Sequence, residues 1–165
     1  MIRDKDTSEY LNQPAVYKWF LKKTACEQYG IPYDNSTKDS EDYVEVYVGI
    51  ANNMRQRANW HWNQKFKASS VRAGAISTLN QTIAAILDTT YTENDYDQVK
   101  AFQHQNMKLQ VYQYCSSKKE AEDIEKKLIS TLRYALNIRD NSQHPFCSQL
   151  KAMRSSCKKR SFAKI

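Results

Sequence analysis

The first regular alternation in the chain follows Pro14. In Ala15 to Leu21, AVYKWFL, the residues Ala15, Tyr17, Trp19 and Leu21 share one side, the period-2 signature of a strand. A second strand is predicted from Tyr43 to Val48, where β-branched and aromatic residues dominate. Residues 22–42 between them are polar, with Gly30-Ile31-Pro32 and acidic positions from Asp39 to Asp42, and predict an extended loop. Gly49 predicts a close backbone turn. Asn52 or Asn53 then caps a helix, since a side-chain oxygen at either position can accept an orphan N–H. At ~100° per residue, Met54, Ala58, His61 and Trp62 fall on one face of that helix, and Arg57 lies one turn before His61.

Further along, Val71, Ala75, Leu79, Ile83 and Leu87 recur every four residues and predict a helix over 71–87, capped by Ser69 or Ser70. Asp88 to Asp97 reads as a loop and Gln98 to Asn106 as a short helix. Lys108 to Cys115 reads as a third strand, with Leu109 and Val111 opposite Tyr112 and Tyr114. Ser117 and Glu120 form an S-x-x-E capping box. The helix after it carries an apolar stripe of Ala121, Ile124, Leu128, Ile129, Leu132, Ala135 and Leu136. Glu125 falls inside that stripe. A carboxylate aimed at a core needs a cation beside it, either an arginine, a lysine or a metal ion.

Length and composition narrow the class. A chain of 165 residues is expected to form one domain with a real core, and its low glycine and proline content speaks against disorder or a repeat array. Cys26, Cys115, Cys147 and Cys157 show no metal spacing and suit free thiols in a reducing compartment. No run has the length and apolarity of a membrane span, and MIRDKDTSEY contains no apolar signal core, so a cytoplasmic or nucleoid-associated protein is expected. Residues 1–13 are polar and predict a loosely ordered segment.

Charge placement adds more. The net charge is +7, no acid lies beyond Asp140, and six basic residues lie from Lys151 onward, which leaves about +1 on the first 150 residues. The tail cations Lys151, Arg154, Lys158, Lys159 and Arg160 suit phosphate backbones, or else belong to a solvated, frayed end. Lys65, Lys67 and Arg72, interleaved with Trp60, Trp62 and Phe66, either track a nucleic-acid backbone or are solvated lysines around core aromatics; for Trp62 the core is the better reading.

In order, these residues resemble the GIY-YIG nuclease family. Ala15-Val16-Tyr17 stands at the GIY motif and Tyr47-Val48-Gly49 at YIG. Arg57 lies ten residues after Tyr47, at the family's arginine, and His61 follows at a position several members fill with histidine. Residues Glu120 to Ile138 look like the family's last helix, with Glu125 at the metal-binding glutamate and Asn137 at the closing asparagine. The resemblance spans about 14–138, with insertions at about 22–42 and 63–107. Ala15 replaces the first glycine, and Ile50 stands where some relatives carry lysine.

The resemblance implies an α+β fold, a small three-stranded antiparallel sheet flanked by helices with a helical insertion. It implies hydrolysis of double-stranded DNA with one Mg²⁺ or Mn²⁺ per site. Tyr17, Tyr47, Arg57, His61, Glu125 and Asn137 are then the expected site. Glu125 would hold the metal, Arg57 would bind phosphate, Tyr17 (the preferred base) or Tyr47 would act on the water, and His61 would pass the proton on or bind phosphate. Free tyrosine titrates at ~10, so a base of this kind calls for a nearby cation. The expected role is a restriction-type or phage/mobile-element enzyme, with target reading by the insertions and basic tail. The rivals are a structure-selective repair nuclease and a non-cleaving DNA-binding protein. A homodimer is expected if both strands are cut.

Overall fold

The computed structural model describes residues 2–165. Three strands, β1 (Ala15–Lys22), β2 (Tyr43–Ala51) and β3 (Met107–Tyr114), form an antiparallel sheet in the order β2-β1-β3. Seven α-helices surround it among the described residues: α1 (Lys23–Tyr29), α2 (Met54–Asn63), α3 (Ala68–Arg72), α4 (Thr78–Ile86), α5 (Tyr96–Asn106), α6 (Lys118–Ile129) and α7 (Cys147–Ala163). This is the expected α+β architecture.

The central strand is covered on both faces. Tyr17, Trp19 and Leu21 enter a large core with Met54, Ala58 and Ile83, while Val16 and Val48 meet Ala121 and Ile129 on the side covered by α6. Two bulges break the simple alternation. Trp19 pairs with Tyr47 but Phe20 with Glu45, so Val46 is an extra residue on β2. The bulge lets Val44 and Val46 stay with the large core while Tyr47 and Gly49 pair with Trp19 and Tyr17. On β3, Val16 pairs with Gln113 and Tyr17 with Val111, so Tyr112 is extra. Tyr114 therefore packs with Leu109 and Val111 against the large core, and does not oppose them as strict alternation predicts. Tyr112 is left exposed.

Several expectations are corrected. Residues 22–42 are not an extended loop: α1 and a 3₁₀ turn at Asn35–Thr37 occupy them, and Ala25 and Cys26 are buried. The single helix over 71–87 is two, because Gly74 adopts a left-handed φ of 68° and Ser77 starts α4 by accepting the Asn80 N–H. Strand β2 runs on through Gly49 to Ala51, so Gly49 makes no turn. The short helix begins two residues early, at Tyr96, after a 3₁₀ turn at Glu93–Asp95. Helix α6 stops at Ile129, and exposed Leu132 has a left-handed φ of 59°. Ala135 and Leu136 are buried all the same, because the chain returns along β2, where the Leu136 N–H donates to Val46 O at 2.9 Å. The capping box is half formed: Ser117 accepts the Glu120 N–H, while Glu120 accepts from Ser116.

Both end segments of the described residues pack against the fold. The Gln13 and Leu11 carbonyls accept the Met54 and Arg55 N–H groups, and Arg55 Nε–H donates to Tyr10 O at 2.7 Å. The N-terminal segment thus satisfies the orphan donors of α2. The basic tail is helix α7, packed along α4 with Leu150, Cys157 and Ser161 buried. Arg160 donates to Thr89 O at 2.9 and 3.2 Å, just beyond the end of α4, so it closes a structural turn.

Candidate active site

A cavity of about 470 Å³ opens between the sheet, α2, α4, α6 and α7. Tyr17, Tyr47, Arg57, Glu125 and Asn137 all line it. Each reaches it for a local reason. The β2 bulge turns Tyr47 to the Tyr17 side of the sheet, where the two rings lie 6.5 Å apart. Gly49 pairs with Tyr17, and a Cβ there would stand 2.5 Å from the Tyr17 Cζ and hydroxyl oxygen. The glycine therefore makes room for the phenol, a packing reason and not a turn. Asn53 caps α2 by accepting the Gln56 N–H at 3.1 Å, which sets the phase that carries Arg57 to the cavity and His61 inward.

His61 is not a cavity residue. It is 1 % exposed and sits behind Tyr17. Its Nε2 lies 2.7 Å from the Tyr17 hydroxyl and its Nδ1 2.6 Å from Ser77 Oγ. A direct bond from His61 to phosphate is thereby ruled out by position. Burial first, then the Arg57 and Lys100 charges, pushes His61 down to about 3, so the ring is neutral at ordinary pH. The tyrosines differ from the expectation of a depressed phenol. Burial holds Tyr17 well above the usual phenol range, and Arg57 only partly opposes it. Burial also raises Tyr47, opposed by its contact with Thr78 Oγ1 at 3.4 Å and by Arg154 and Arg57.

Glu125 is half-buried, and no hydrogen bond or ion pair engages it among the described residues. Burial raises its carboxyl above the ordinary range, with Arg139 opposing. The resemblance implies a divalent cation here, and the donor set suits a site of low protein denticity. No cluster of three acidic, histidine or cysteine side chains exists among the described residues, but one free carboxylate faces a wet cavity. Mg²⁺ characteristically takes one or two carboxylates and fills its octahedron with water and substrate phosphate. Asn137 has a different duty: its Oδ1 accepts the Val48 N–H at 2.9 Å and its Nδ2–H donates to Val48 O at 2.8 Å. Both ends of the amide are engaged in clamping β2 beside the bulge, so Asn137 positions the strand that carries Tyr47.

Lys65, Lys67 and Arg72 do not line the cavity, and Lys65 pairs with Asp4 at 3.0 Å. Trp62 and Phe66 are core residues, with Trp62 packed on Trp19 at 4.8 Å. Two contributors escaped sequence reasoning, Ser77 and Thr78 from the insertion, while Arg154, expected as a tail contact to the phosphate backbone, lines the cavity from α7. Only Ser77 had a legible signal, its capping position before the apolar run of α4.

A sequence model described as the GIY-YIG catalytic domain matches residues 15–156. The chain belongs to the GIY-YIG family. It is a DNA endonuclease, a phosphodiester hydrolase of a family that is generally dependent on a divalent metal. No curated protein and no solved structure matches it. No helix of this nuclease among the described residues is long and apolar enough to cross a membrane.

Proposed function

We propose that this nuclease hydrolyses double-stranded DNA with one Mg²⁺ or Mn²⁺ and a neutral Tyr17–His61–Ser77 relay. The observation that carries this reading is the 2.7 Å contact from the Tyr17 hydroxyl to a buried, neutral His61 beside a cavity that also holds Arg57 and Glu125. In the Nδ1–H tautomer His61 donates to Ser77 Oγ and accepts the Tyr17 hydroxyl hydrogen on Nε2. Tyr17 can then take a proton from the attacking water while its own moves to His61, so no free phenolate has to exist beforehand. Tyr47 orients the water. Arg57, which lacks a protein counter-ion among the described residues, holds a phosphate oxygen in its guanidinium fork. Glu125 would hold the divalent metal, which would supply Lewis-acid neutralisation of the phosphate charge. The water oxygen bonds to phosphorus, the P–O bond to the leaving strand breaks, and that oxygen finishes protonated from solvent. An imidazole near 3 is a weak base in the free protein. The anionic phosphate opposes the Arg57 charge that helped depress it, so the relay gains basicity when substrate is seated.

The setting we favour is site-specific cleavage of the restriction or phage/mobile-element type. In its support, the insertion is built into the catalytic wall through Ser77 and Thr78, and exposed Lys151, Lys158 and Lys159 give α7 a DNA-facing charge. Each chain offers one such cavity, so a double-strand break calls for two copies. Plasmid cleavage with and without Mg²⁺, followed by sequencing of the ends, tests this. The expected result is metal-dependent cleavage at a recurrent sequence, abolished in Tyr17→Phe and Glu125→Gln. Cuts placed by junctions or flaps would favour the repair nuclease, and intact plasmid under all conditions would defeat the hydrolytic reading.

A further inference from the structure

We infer that Arg154, from helix α7, is a second phosphate-binding catalytic residue that shares the reacting phosphate with Arg57, an inference that rests on the nuclease reading above. Arg154 lines the same cavity as Tyr47, Arg57 and Glu125. It stands on the last helix, almost one hundred positions from Arg57 in the chain, and is brought there by packing of α7 on α4.

Its surroundings are those of a cation without an anion. Of five guanidinium N–H groups, the one with a described acceptor is on Nη2, which donates to the neutral Gln81 Oε1 at 3.0 Å. No carboxylate pairs with it among the described residues. The group is nevertheless withdrawn from solvent enough that burial lowers it below the usual arginine value, with Tyr47 and Tyr91 nearby. A desolvated charge held only by an amide is unfavourable, and folded proteins keep such groups where a ligand supplies the missing charge.

The other charges around the cavity do not supply it. Lys118 pairs with Glu122 at 3.8 Å and Arg139 with Asp140 at 4.0 Å, both at the exposed rim. Inside that rim Arg57, Arg154 and Glu125 remain unpaired. Arg57 and Glu125 cancel in net charge. Exposed Lys126 stands at the rim, so Arg154 is the second half-buried cation inside it, placed where negative charge on phosphorus grows during attack. Its charge also opposes, without overcoming, the burial that raises Tyr47. Arg160, six residues on, is committed to Thr89 O and is not equivalent.

The test compares Arg154→Ala, Arg154→Gln and Arg154→Lys with Ser156→Ala, an exposed, uncharged α7 control. Melting curves first select the Arg154 variants that fold; Gln retains length and polarity should Ala fail. Two readouts are taken on DNA: single-turnover cleavage with Mg²⁺, and the salt dependence of binding in EDTA. Loss of Arg154 should lower cleavage about 10²–10³-fold, as removal of one preorganised charge donor does. It should also flatten the salt slope by ~0.9, the value for one phosphate contact. Guanidinium ion at millimolar concentration should restore part of the Arg154→Ala rate, which a merely structural role would not permit. Ser156→Ala should leave both the rate and the slope unchanged. Cleavage within twofold of the native rate with an unchanged slope overturns the proposal, as does a slow variant whose slope is native and whose rate guanidinium leaves alone. If the native protein itself fails to cut, the nuclease reading falls, while the slope in EDTA still decides whether Arg154 touches phosphate.

Discussion

Acid should unfold this nuclease through His61. The group titrates at 6.5 when unfolded and at about 3 in the fold, where it is pressed between Tyr17, Ser77 and the Arg57 and Lys100 charges. Its folded value is depressed, so between those two values the unfolded chain binds the proton and the folded one does not. The sign follows: the His61 contribution is fully present above about 6.5 and is lost as pH falls towards 3. At pH 4 an unfolded imidazole is almost wholly protonated, and linkage makes the loss relative to pH 7 about 3 kcal/mol. That figure changes little if the folded value is one unit higher, because pH 4 is still far below the unfolded value. For a chain of this length the loss corresponds to a melting temperature lower by roughly 6–12 °C. The assay is urea unfolding at pH 7 and pH 4 of the native protein and of His61→Gln, which cannot titrate. Other groups titrate in the same window, so the readout is the difference between the two pH dependences. His61→Gln should be less stable at pH 7, where it lacks the Tyr17 and Ser77 contacts, yet lose about 3 kcal/mol less on acidification. Parallel pH dependences would show that His61 is accessible to protons in the fold, and the buried neutral relay would be wrong.

Three further outcomes are expected. Glu125→Gln removes a carboxylate whose folded value is raised, so the native penalty exists above the unfolded value near 4.5 and fades below it; the variant should be ~0.5–2 kcal/mol more stable at pH 7, no more stable at pH 4, and inert in cleavage. A loss of ~3–5 kcal/mol in the same melts would instead mean that Glu125 closes a buried ion pair. Gly49→Ala places a methyl against the Tyr17 ring and should cost about 1–3 kcal/mol, with a much larger proportional loss of single-turnover cleavage; native cleavage would show that the Tyr17 placement is unimportant. Lys100 is fully buried, its ammonium donating to His61 O, Asn80 Oδ1 and Gln103 Oε1 at 2.9, 3.1 and 3.2 Å, and burial pushes it down to about 7. Relative to Lys100→Met, native stability should therefore rise as pH goes from 7 towards 10, and a falling difference would show that the three oxygens hold the ammonium form.

Much of this arrangement was legible because local patterns state it directly. Alternation placed Tyr17 with Trp19, and helical phase placed His61 with the buried Met54 and Ala58. The bulges were not legible. V-E-V-Y-V-G scans as an unbroken alternation, which would set Tyr47 on the side away from Val44 and Val46. Pairing with β1 inserts Val46 as an extra residue, and only that pairing reveals it. The end of α6 was hidden for a similar reason, since Leu132, Ala135 and Leu136 keep a helical spacing although the chain has already turned at Leu132. Arg154 was legible as a tail cation suited to phosphate, but not as a cavity residue. It is one cation among six in a segment without acids, and its place depends on how two helices pack, which neither helix's own sequence encodes.

The cavity divides its work by solvation. Tyr17 forms its dry wall, with His61 and Ser77 buried behind it, all neutral, where a separated charge would be penalised by burial. Its wet side holds Arg57, Arg154 and Glu125, which water can partly solvate while the site is open. A proton passed from Tyr17 to His61 creates charge on the dry side, and a phosphate held between the arginines offsets it within the same cavity. The base is weak while the arginines face solvent, and strengthens once an anion sits on them. In the proposed mechanism, binding and activation are thus one electrostatic event. The proposed separation also accounts for the energetic oddity of the fold, a half-buried acid and two half-buried arginines that leave each other unpaired: each would be held for a charge that arrives with the substrate and the metal.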